Sequence, residues 1–306
     1  MGAGYVKIID EDDEGVGVTS GALDINVKSG MVDVSTLATS ANQTNGNQIS
    51  QITGSVDTKP YGAKVGGGDI TGSSRWVKSG YCGIGAATGD LWAKATTYEF
   101  PASATRMEVV SSSTDDTVAG TGIQKVEIGY LDSNGDAQVM EIEMDGTTAV
   151  DCGELNTMLA VNYFRASQIG GGGVAAGDID IRTFDGAGTD YSRIATGATR
   201  AINAAFMVPA DHKLVITDFK FSIGGSATNK DKSGVYRLLS NFDDVSGTIK
   251  TEFFQHHGGF LKDSSESVVF GMPPCFPALS QVRVEITSHA ADTIAMVNMR
   301  GYLEEV

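Results

Sequence analysis

Cysteine is scarce in this sequence, and the three residues present, Cys82, Cys152 and Cys275, stand far apart. They form no CxxC motif and no Cys/His spacing typical of zinc ligands, so neither a disulfide framework nor a structural metal site is expected. We predict that all three are small hydrophobic side chains in the interior of the protein.

Basic residues are also few in this chain of 306 residues. Lysine and arginine number 22 against 38 aspartate and glutamate residues, which gives a formal net charge of −16. Binding to a phosphate backbone needs clustered basic side chains, so we expect no nucleic-acid partner. No stretch approaches the ~18–20 apolar residues that cross a bilayer, and the first ten residues lack the basic start and apolar run of a secretory signal. We therefore expect no membrane partner and no export.

The motifs of common catalytic and cofactor sites are missing. There is no GxSxG, HExxH or kinase signature, and glycine-rich residues 83–89 and 170–173 lack the strand–GxGxxG–helix context of a dinucleotide site. Residues 10–14 and 132–136 offer carboxylates to Ca²⁺, but we interpret the first as a solvated charge run or partner contact and the second as a hairpin turn. We expect no enzyme activity, cofactor or metal, although sequence alone leaves a glycosidase-type carboxylate pair open.

The first 95 residues are rich in Gly, Ser, Thr, Asn and Asp, and their apolar runs are short. Residues 22–27 alternate with period two, as a half-buried strand does, yet the region has too little apolar surface to form a core. We predict that residues 1–95 form an extended assembly arm that partner subunits hold in place. The expected partner-binding side chains are Tyr5, Leu23, Ile25, Val27, Val32, Val34 and Trp76. For Trp76, the alternative is that it packs on the body of its own chain.

From residue 96 onward, short strand patterns recur every ~8–14 residues with turn residues between them. Residues 124–131 and 137–144 both alternate, and the Asn-Gly pair between them predicts a β-hairpin. The fold class is therefore all-β: an arm followed by an antiparallel sandwich or jelly-roll body, built as one large sandwich or two small ones. For two, we predict a β-sandwich domain at residues 96–195 and a jelly-roll-like domain at 196–306.

One stretch resembles a known family. Residues 107–122 read MEVVSSSTDDTVAGTG and lead into the predicted hairpin, and residues 169–173 read IGGGG shortly before the GDI of residues 177–179. This pattern is similar to a β-domain of structural proteins in tailed bacteriophages, and residues 201–303 resemble the jelly-roll modules of such virion proteins. The resemblance implies a virion component, made in the bacterial cytoplasm and assembled onto head, neck or tail, with no catalytic residue to transfer.

Three functions follow as hypotheses. The first is a head decoration or cement protein whose arm clamps neighbouring capsid subunits; its partners would be major capsid or neck proteins and copies of itself, and a trimer would suit a β-protein that exchanges strands. The second is a neck or tail fibre adhesin that binds a host surface glycan, with Tyr191 or Phe260 as stacking platforms. The third is a glycan hydrolase or lyase.

Overall fold

A computed structural model describes residues 61–186, 188–225 and 231–306, and nearly all of the regular secondary structure in these residues is β-strand. The one helix among them, α1, spans Tyr61–Gly67. The strands are β1 (Ser73–Ile84), β2 (Thr88–Asp90), β3 (Met107–Ser111), β4 (Ile123–Leu131), β5 (Ala137–Glu143), β6 (Val150–Asp151), β7 (Ala160–Ile169), β8 (Ile179–Thr183), β9 (Asp190–Ile194), β10 (Phe206–Met207), β11 (His212–Gly224), β12 (Ser233–Asp243), β13 (Thr248–Lys262), β14 (Ser265–Val269), β15 (Cys275–Phe276), β16 (Gln281–Ser288) and β17 (Thr293–Glu305).

Two of the four sheets in this part of the chain form a jelly roll. One has the strand order β1-β17-β11-β14 and the other β10-β16-β12-β13, with β15 added beside β11 and β2 beside β16. With β1, β10 to β14, β16 and β17 counted as strands one to eight, the orders are one-eight-three-six and two-seven-four-five. That is the double Greek key of a jelly roll, and all its pairs are antiparallel. The predicted all-β sandwich fold is confirmed.

The jelly roll is held by an apolar layer between its sheets. Strand β16 buries every second residue, as the sequence alternation predicts. Phe219, Phe221 and Tyr236 stack in the middle, with the Phe221 and Tyr236 rings 4.4 Å apart. Each such fully buried side chain stabilises the fold by about 1.5–3 kcal/mol. The Tyr236 hydroxyl donates a hydrogen bond to Glu266 at 2.5 Å, so the polar end of this ring is satisfied.

A second sandwich, which we call the inserted lobe, occupies residues 107–201. Its sheets have the orders β6-β3-β8-β9 and β5-β4-β7, with a separate apolar core between them. Strands β4 and β5 form the predicted hairpin, and Gly135 in its turn has φ +86, which glycine adopts without strain. Because β2 precedes the lobe in the chain and β10 follows it, the lobe is an insertion within the jelly roll.

The arm predicted for residues 1–95 is wrong from Ser73 onward. Ser73–Ile84 and Thr88–Asp90 are strands β1 and β2 of the jelly roll, and β1 pairs with β17 along twelve residues. The sequence hid β1 because its inward positions include Lys78 and Gly80, which break the apolar alternation. Residues 1–60 lie outside the described residues. The division of the body near residue 195 stays a prediction, although the buried core changes between Ala201 and Ala204.

Polar contacts join the inserted lobe to the jelly roll. The Asn162 side chain of β7 donates to the Met207 carbonyl at 2.9 Å and accepts from the Met207 N–H at 3.0 Å. The Lys78 ammonium of β1 donates to the Asn162 carbonyl, and burial lowers the pKa of Lys78 to about 7. Lys94, which precedes the lobe in the chain, pairs with Asp190 of β9. These contacts join β7 of the lobe to β1 and β10, and β9 of the lobe to the segment that follows β2.

Candidate functional site

The strongest candidate surface is the outer side of the β1-β17-β11-β14 sheet. Side chains alternate across this sheet, and those that point away from the core are exposed or half-buried. Val77, Tyr81, Ile294 and Met296 are 45%, 39%, 37% and 49% exposed. We call this surface the outer face; its residues beyond α1 are Arg75, Val77, Ser79, Tyr81, Gly83, Asp218, Lys220, Ser222, Ser265, Ser267, Val269, Ile294, Met296, Asn298 and Arg300.

Arg75 and Arg300 lie toward one end of the outer face, the basic end, which also carries the apolar side chains Val77 and Val269 and the acidic Asp218. Strand register places Val77 opposite Arg300, with Arg75 two residues before Val77, whereas Tyr81 lies opposite Met296. Its three basic residues outnumber its one acidic residue, Asp218, in a chain of strongly negative net charge. Arg75, Lys220 and Arg300 form no ion pair with any residue that the structure describes. The face is therefore a local cationic patch beside exposed apolar side chains.

Helix α1 borders the basic end of the outer face. The Tyr61 ring lies 5.1 Å from the Tyr302 ring, and the Tyr61 hydroxyl donates to Glu304. Lys213 also pairs with Glu304, at 2.7 Å, and so neutralises that carboxylate. Beyond α1, a concavity of about 630 Å³ extends over β11, β14 and β17. The sheet has the shape and the polarity of a surface on which another chain can lie.

The partner-binding residues predicted from the sequence do not form this face. Trp76 is only 5% exposed, and its ring meets Phe206 edge-to-face at 5.3 Å inside the jelly-roll core. Its prediction as an anchor for a neighbour is therefore wrong, because the ring already packs in its own chain. The other predicted residues, Tyr5, Leu23, Ile25, Val27, Val32 and Val34, lie outside the described residues. Sequence reasoning missed the face, although the alternation Arg75, Val77, Ser79, Tyr81 is a signal for it.

The stretch of residues 107–122 is organised around the side chain of Asp116. This carboxylate is fully buried and accepts hydrogen bonds from the Ser111 hydroxyl at 2.6 Å and the Ile123 N–H at 2.7 Å. It also accepts from the N–H groups of Ala176 at 3.0 Å and Gly177 at 2.9 Å. A Cβ at Gly122 would overlap the same carboxylate. The buried Asp116 carboxylate therefore organises the packing of the loops around it.

Asp90 and Arg283 form a buried ion pair of 2.6 Å beside the inserted lobe. The Asp90 carboxylate also accepts from the Tyr98 N–H at 2.6 Å, and the Arg283 guanidinium lies 4.3 Å from the Phe253 ring. Burial raises the pKa of Asp90 to about 6, while the Arg283 charge and the Tyr98 N–H act in the opposite direction. This pair anchors the chain where it leaves β2 toward the lobe.

Histidine and cysteine side chains serve packing in the described part of the chain. His256 packs edge-on against Phe276 at 4.9 Å, and the His257 ring lies 3.2 Å from the Tyr236 hydroxyl, so the two neighbours face different surroundings. Cys82 and Cys152 are buried as predicted, whereas Cys275 is exposed. Among residues 61–186, 188–225 and 231–306, no three His, Cys, Asp or Glu side chains meet in a way that could hold a metal ion. No helix in these described residues is long and apolar enough to span a membrane.

Comparisons with known proteins give no family. No model of a known protein family matches this chain, and no curated protein matches it. Among solved structures, a chain of the naturally occurring empty particles of cowpea mosaic virus is similar over 66% of this chain and 85% of that one, with 9% identity and a TM-score of 0.20. Chains of infectious bursal disease virus, strains Gt and Gx, align over 75% and 76% of this chain and 70% and 76% of theirs, with 10% and 9% identity and TM-scores of 0.19. Similarities of this size carry no argument about function.

Proposed function

We propose that this chain is a non-enzymatic structural protein of a virus particle. The observation that carries the proposal is a jelly roll whose outer face bears exposed apolar side chains and basic side chains that form no ion pair with any described residue. Jelly rolls recur in viral capsid and lectin domains, so the fold supports the proposal by analogy. Exposed apolar side chains rimmed by polar ones are typical of a surface that another protein covers. In an assembled particle, neighbouring subunits would cover this surface.

More specifically, the chain is a head decoration or cement protein of a tailed bacteriophage, made in the host bacterium. Its N-terminal residues 1–60 clamp neighbouring subunits, which are major capsid proteins and copies of this chain. The motif around Asp116 and its similarity to phage β-domains support this assignment. The free-energy cost of ordering an arm with little core of its own is offset by the main-chain hydrogen bonds that it forms when it adds to a neighbour's sheet. Symmetry-related copies would make such attachment multivalent.

Quantitative mass spectrometry of purified particles tests this function. We expect this chain in hundreds of copies per particle, at a fixed ratio to the major capsid protein. Particles that package DNA normally and contain none of this chain would contradict the proposal. The matched control is a non-structural protein encoded by the same virus, which purification should remove.

A neck or tail fibre adhesin is the second candidate, and one exposed ring favours it. Phe260 on β13 is 57% exposed and lies 6.1 Å from the His289 ring, so it presents a face on which a sugar could stack. Tyr191, the other predicted platform, is only 7% exposed and packs in the core of the inserted lobe, so that prediction is wrong. The copy number separates the two candidates, because an adhesin would be present in a few to a few dozen copies.

A further inference from the structure

We propose that the inserted lobe of a second copy of this chain docks on the outer face. The docking surface of the lobe is the outer side of its β5-β4-β7 sheet, which we call the lobe face. The inference deepens the proposed function, on which it rests, because it names the partner that covers the outer face. The charge, the apolar content and the exposure of the two surfaces support this assignment.

The lobe face follows from the alternation of side chains in its sheet. Val126 and Ile128 of β4 and Phe164 of β7 point into the lobe core and are at most 1% exposed. Their neighbours along each strand point away from the core. The register of the sheet aligns these outward residues, which are Lys125, Glu127 and Gly129 of β4, Val139, Glu141 and Glu143 of β5, and Tyr163 and Arg165 of β7.

The first support is charge. The inserted lobe contains fifteen acidic and five basic residues, a net charge of −10, whereas the whole chain has −16. On the lobe face, Glu141 and Glu143 share one partner, the Lys125 ammonium, at 3.6 and 3.0 Å, and their side chains stay 53% and 62% exposed. The three basic residues of the outer face form no ion pair with any described residue. Opposite charges on two surfaces steer them together and select the pairing.

The second support is the apolar part of each surface. Val139 is 63% exposed and Tyr163 is 40% exposed. A Cβ at Gly129 would overlap the Tyr163 ring, so this ring lies directly over β4. Because β5 is the edge strand of its sheet, its side chains can enter the concavity of about 630 Å³ on the outer face. The exposed apolar side chains of both surfaces would then leave water together.

The two surfaces must come from different copies. In a single copy, Val139 of the lobe face and Met296 of the outer face are 63% and 49% exposed, so the two surfaces do not cover each other. They also differ from each other, so the contact is heterologous, and each pair of copies keeps one free lobe face and one free outer face. Such a contact repeats from copy to copy, as the proposed role in a particle requires.

The size of the lobe face predicts a weak single contact. Strand β5 has seven residues, or about 23 Å, and three strands about 4.8 Å apart give a surface of roughly 300 Å². Stable interfaces bury about 800 Å² on each partner. One contact is therefore weak in solution, whereas many contacts repeated in a particle act together.

Cross-linking of the purified full chain tests the contact, because it captures weak complexes. In a Cys275→Ser background, Val139→Cys protein with one mass tag (the lobe-face protein) is mixed with Ser267→Cys protein with another (the outer-face protein), and a short bis-maleimide linker is added. Ser267 is exposed and lies opposite Lys220 on the outer face. We expect a cross-linked dimer that carries both tags.

A lobe position outside the lobe face gives the matched control. Leu155 is 96% exposed in the loop that follows β6, so Leu155→Cys in place of Val139→Cys should yield at least tenfold less mixed dimer. A mixed dimer no more abundant than this control overturns the inference. A larger yield of dimers that join two Ser267→Cys copies also overturns it, because two outer faces would then meet each other.

Charge exchange between the two surfaces identifies their pairing. Lys220→Glu with Arg300→Glu in the outer-face protein, or Glu141→Lys with Glu143→Lys in the lobe-face protein, should each lower the yield of mixed dimer at least tenfold. Mixing the two altered proteins should restore the yield, because the facing charges are opposite again. An unchanged yield in either altered mixture, or no restoration, overturns the inference. Thermal unfolding of each variant verifies that it is folded.

These experiments use purified chains and no particles. Failure of the cross-link, with hundreds of copies of the chain in each particle, would remove this contact and leave the proposed function standing. The number of copies per particle therefore tests the proposed function separately.

Discussion

A chain that starts at residue 96 is expected to lose the cooperative unfolding transition of the jelly roll, whereas a chain that starts at Lys59 is expected to keep it. The longer deletion removes β1 and β2, and with them the core side chains Trp76, Ile84 and Leu91. Each of these contributes about 1.5–3 kcal/mol, and β17 also loses its twelve-residue partner. The sum is comparable with the total stability of a domain, about 5–15 kcal/mol. Calorimetry and near-ultraviolet circular dichroism measure the transition.

Point substitutions in β1 give the matched control for that deletion. Trp76→Ala is expected to cost about 3–5 kcal/mol because it leaves a cavity in the core. Val77→Ala, on the outer face of the same strand, should change the free energy of unfolding by less than about 1 kcal/mol. A chain from residue 96 that unfolds with the heat and midpoint of the full protein would contradict the jelly-roll assignment of β1.

Asp116→Ala is expected to destabilise the inserted lobe by about 4 kcal/mol or more, the largest effect of any single side chain considered. Its carboxylate accepts four hydrogen bonds, and truncation leaves three of the donors, the Ser111 hydroxyl and the N–H groups of Ile123 and Gly177, buried without an acceptor. Each unsatisfied donor costs about 1–3 kcal/mol. Urea denaturation followed by a probe within the lobe measures the change.

The neighbouring Asp115 provides the control for Asp116. Asp115 is exposed, so Asp115→Ala should alter the free energy of unfolding by no more than about 0.5 kcal/mol. Equal effects of the two substitutions would show that burial of the Asp116 carboxylate does not organise the loops.

The sequence predicted those strands whose alternation is regular. Strands β4, β5, β16 and β17 match predicted strands to within a few residues, because apolar and polar side chains alternate along much of each strand. Strand β1 was missed for a physical reason: Gly80 approaches Leu91 and Ala204 so closely that no side chain fits, and Lys78 occupies another inward position. Contacts with distant parts of the chain therefore determine which residues occupy these two inward positions, and neither is the apolar residue that a strand pattern requires. The insertion of a lobe between β2 and β10 likewise has no signal in the local sequence.

The basic cluster of the outer face could not be predicted because it exists only after distant strands align. Arg75, Lys220 and Arg300 come from β1, β11 and β17, and no short stretch of sequence contains a basic cluster. The acidic run at residues 10–14, in contrast, was evident from the sequence, where it was interpreted as a solvated charge run or a partner contact. What the structure adds is a surface that carries basic side chains.

Hydroxyl-radical footprinting of the chain before and after assembly tests most directly whether the outer face becomes buried. Met296 and Tyr81 are 49% and 39% exposed in the single chain and should be oxidised several-fold more slowly once copies associate. Met272, which is 90% exposed in the loop after β14, should react at an unchanged rate and serves as the internal reference. Equal oxidation of Met296 in the dilute and assembled protein would contradict the account.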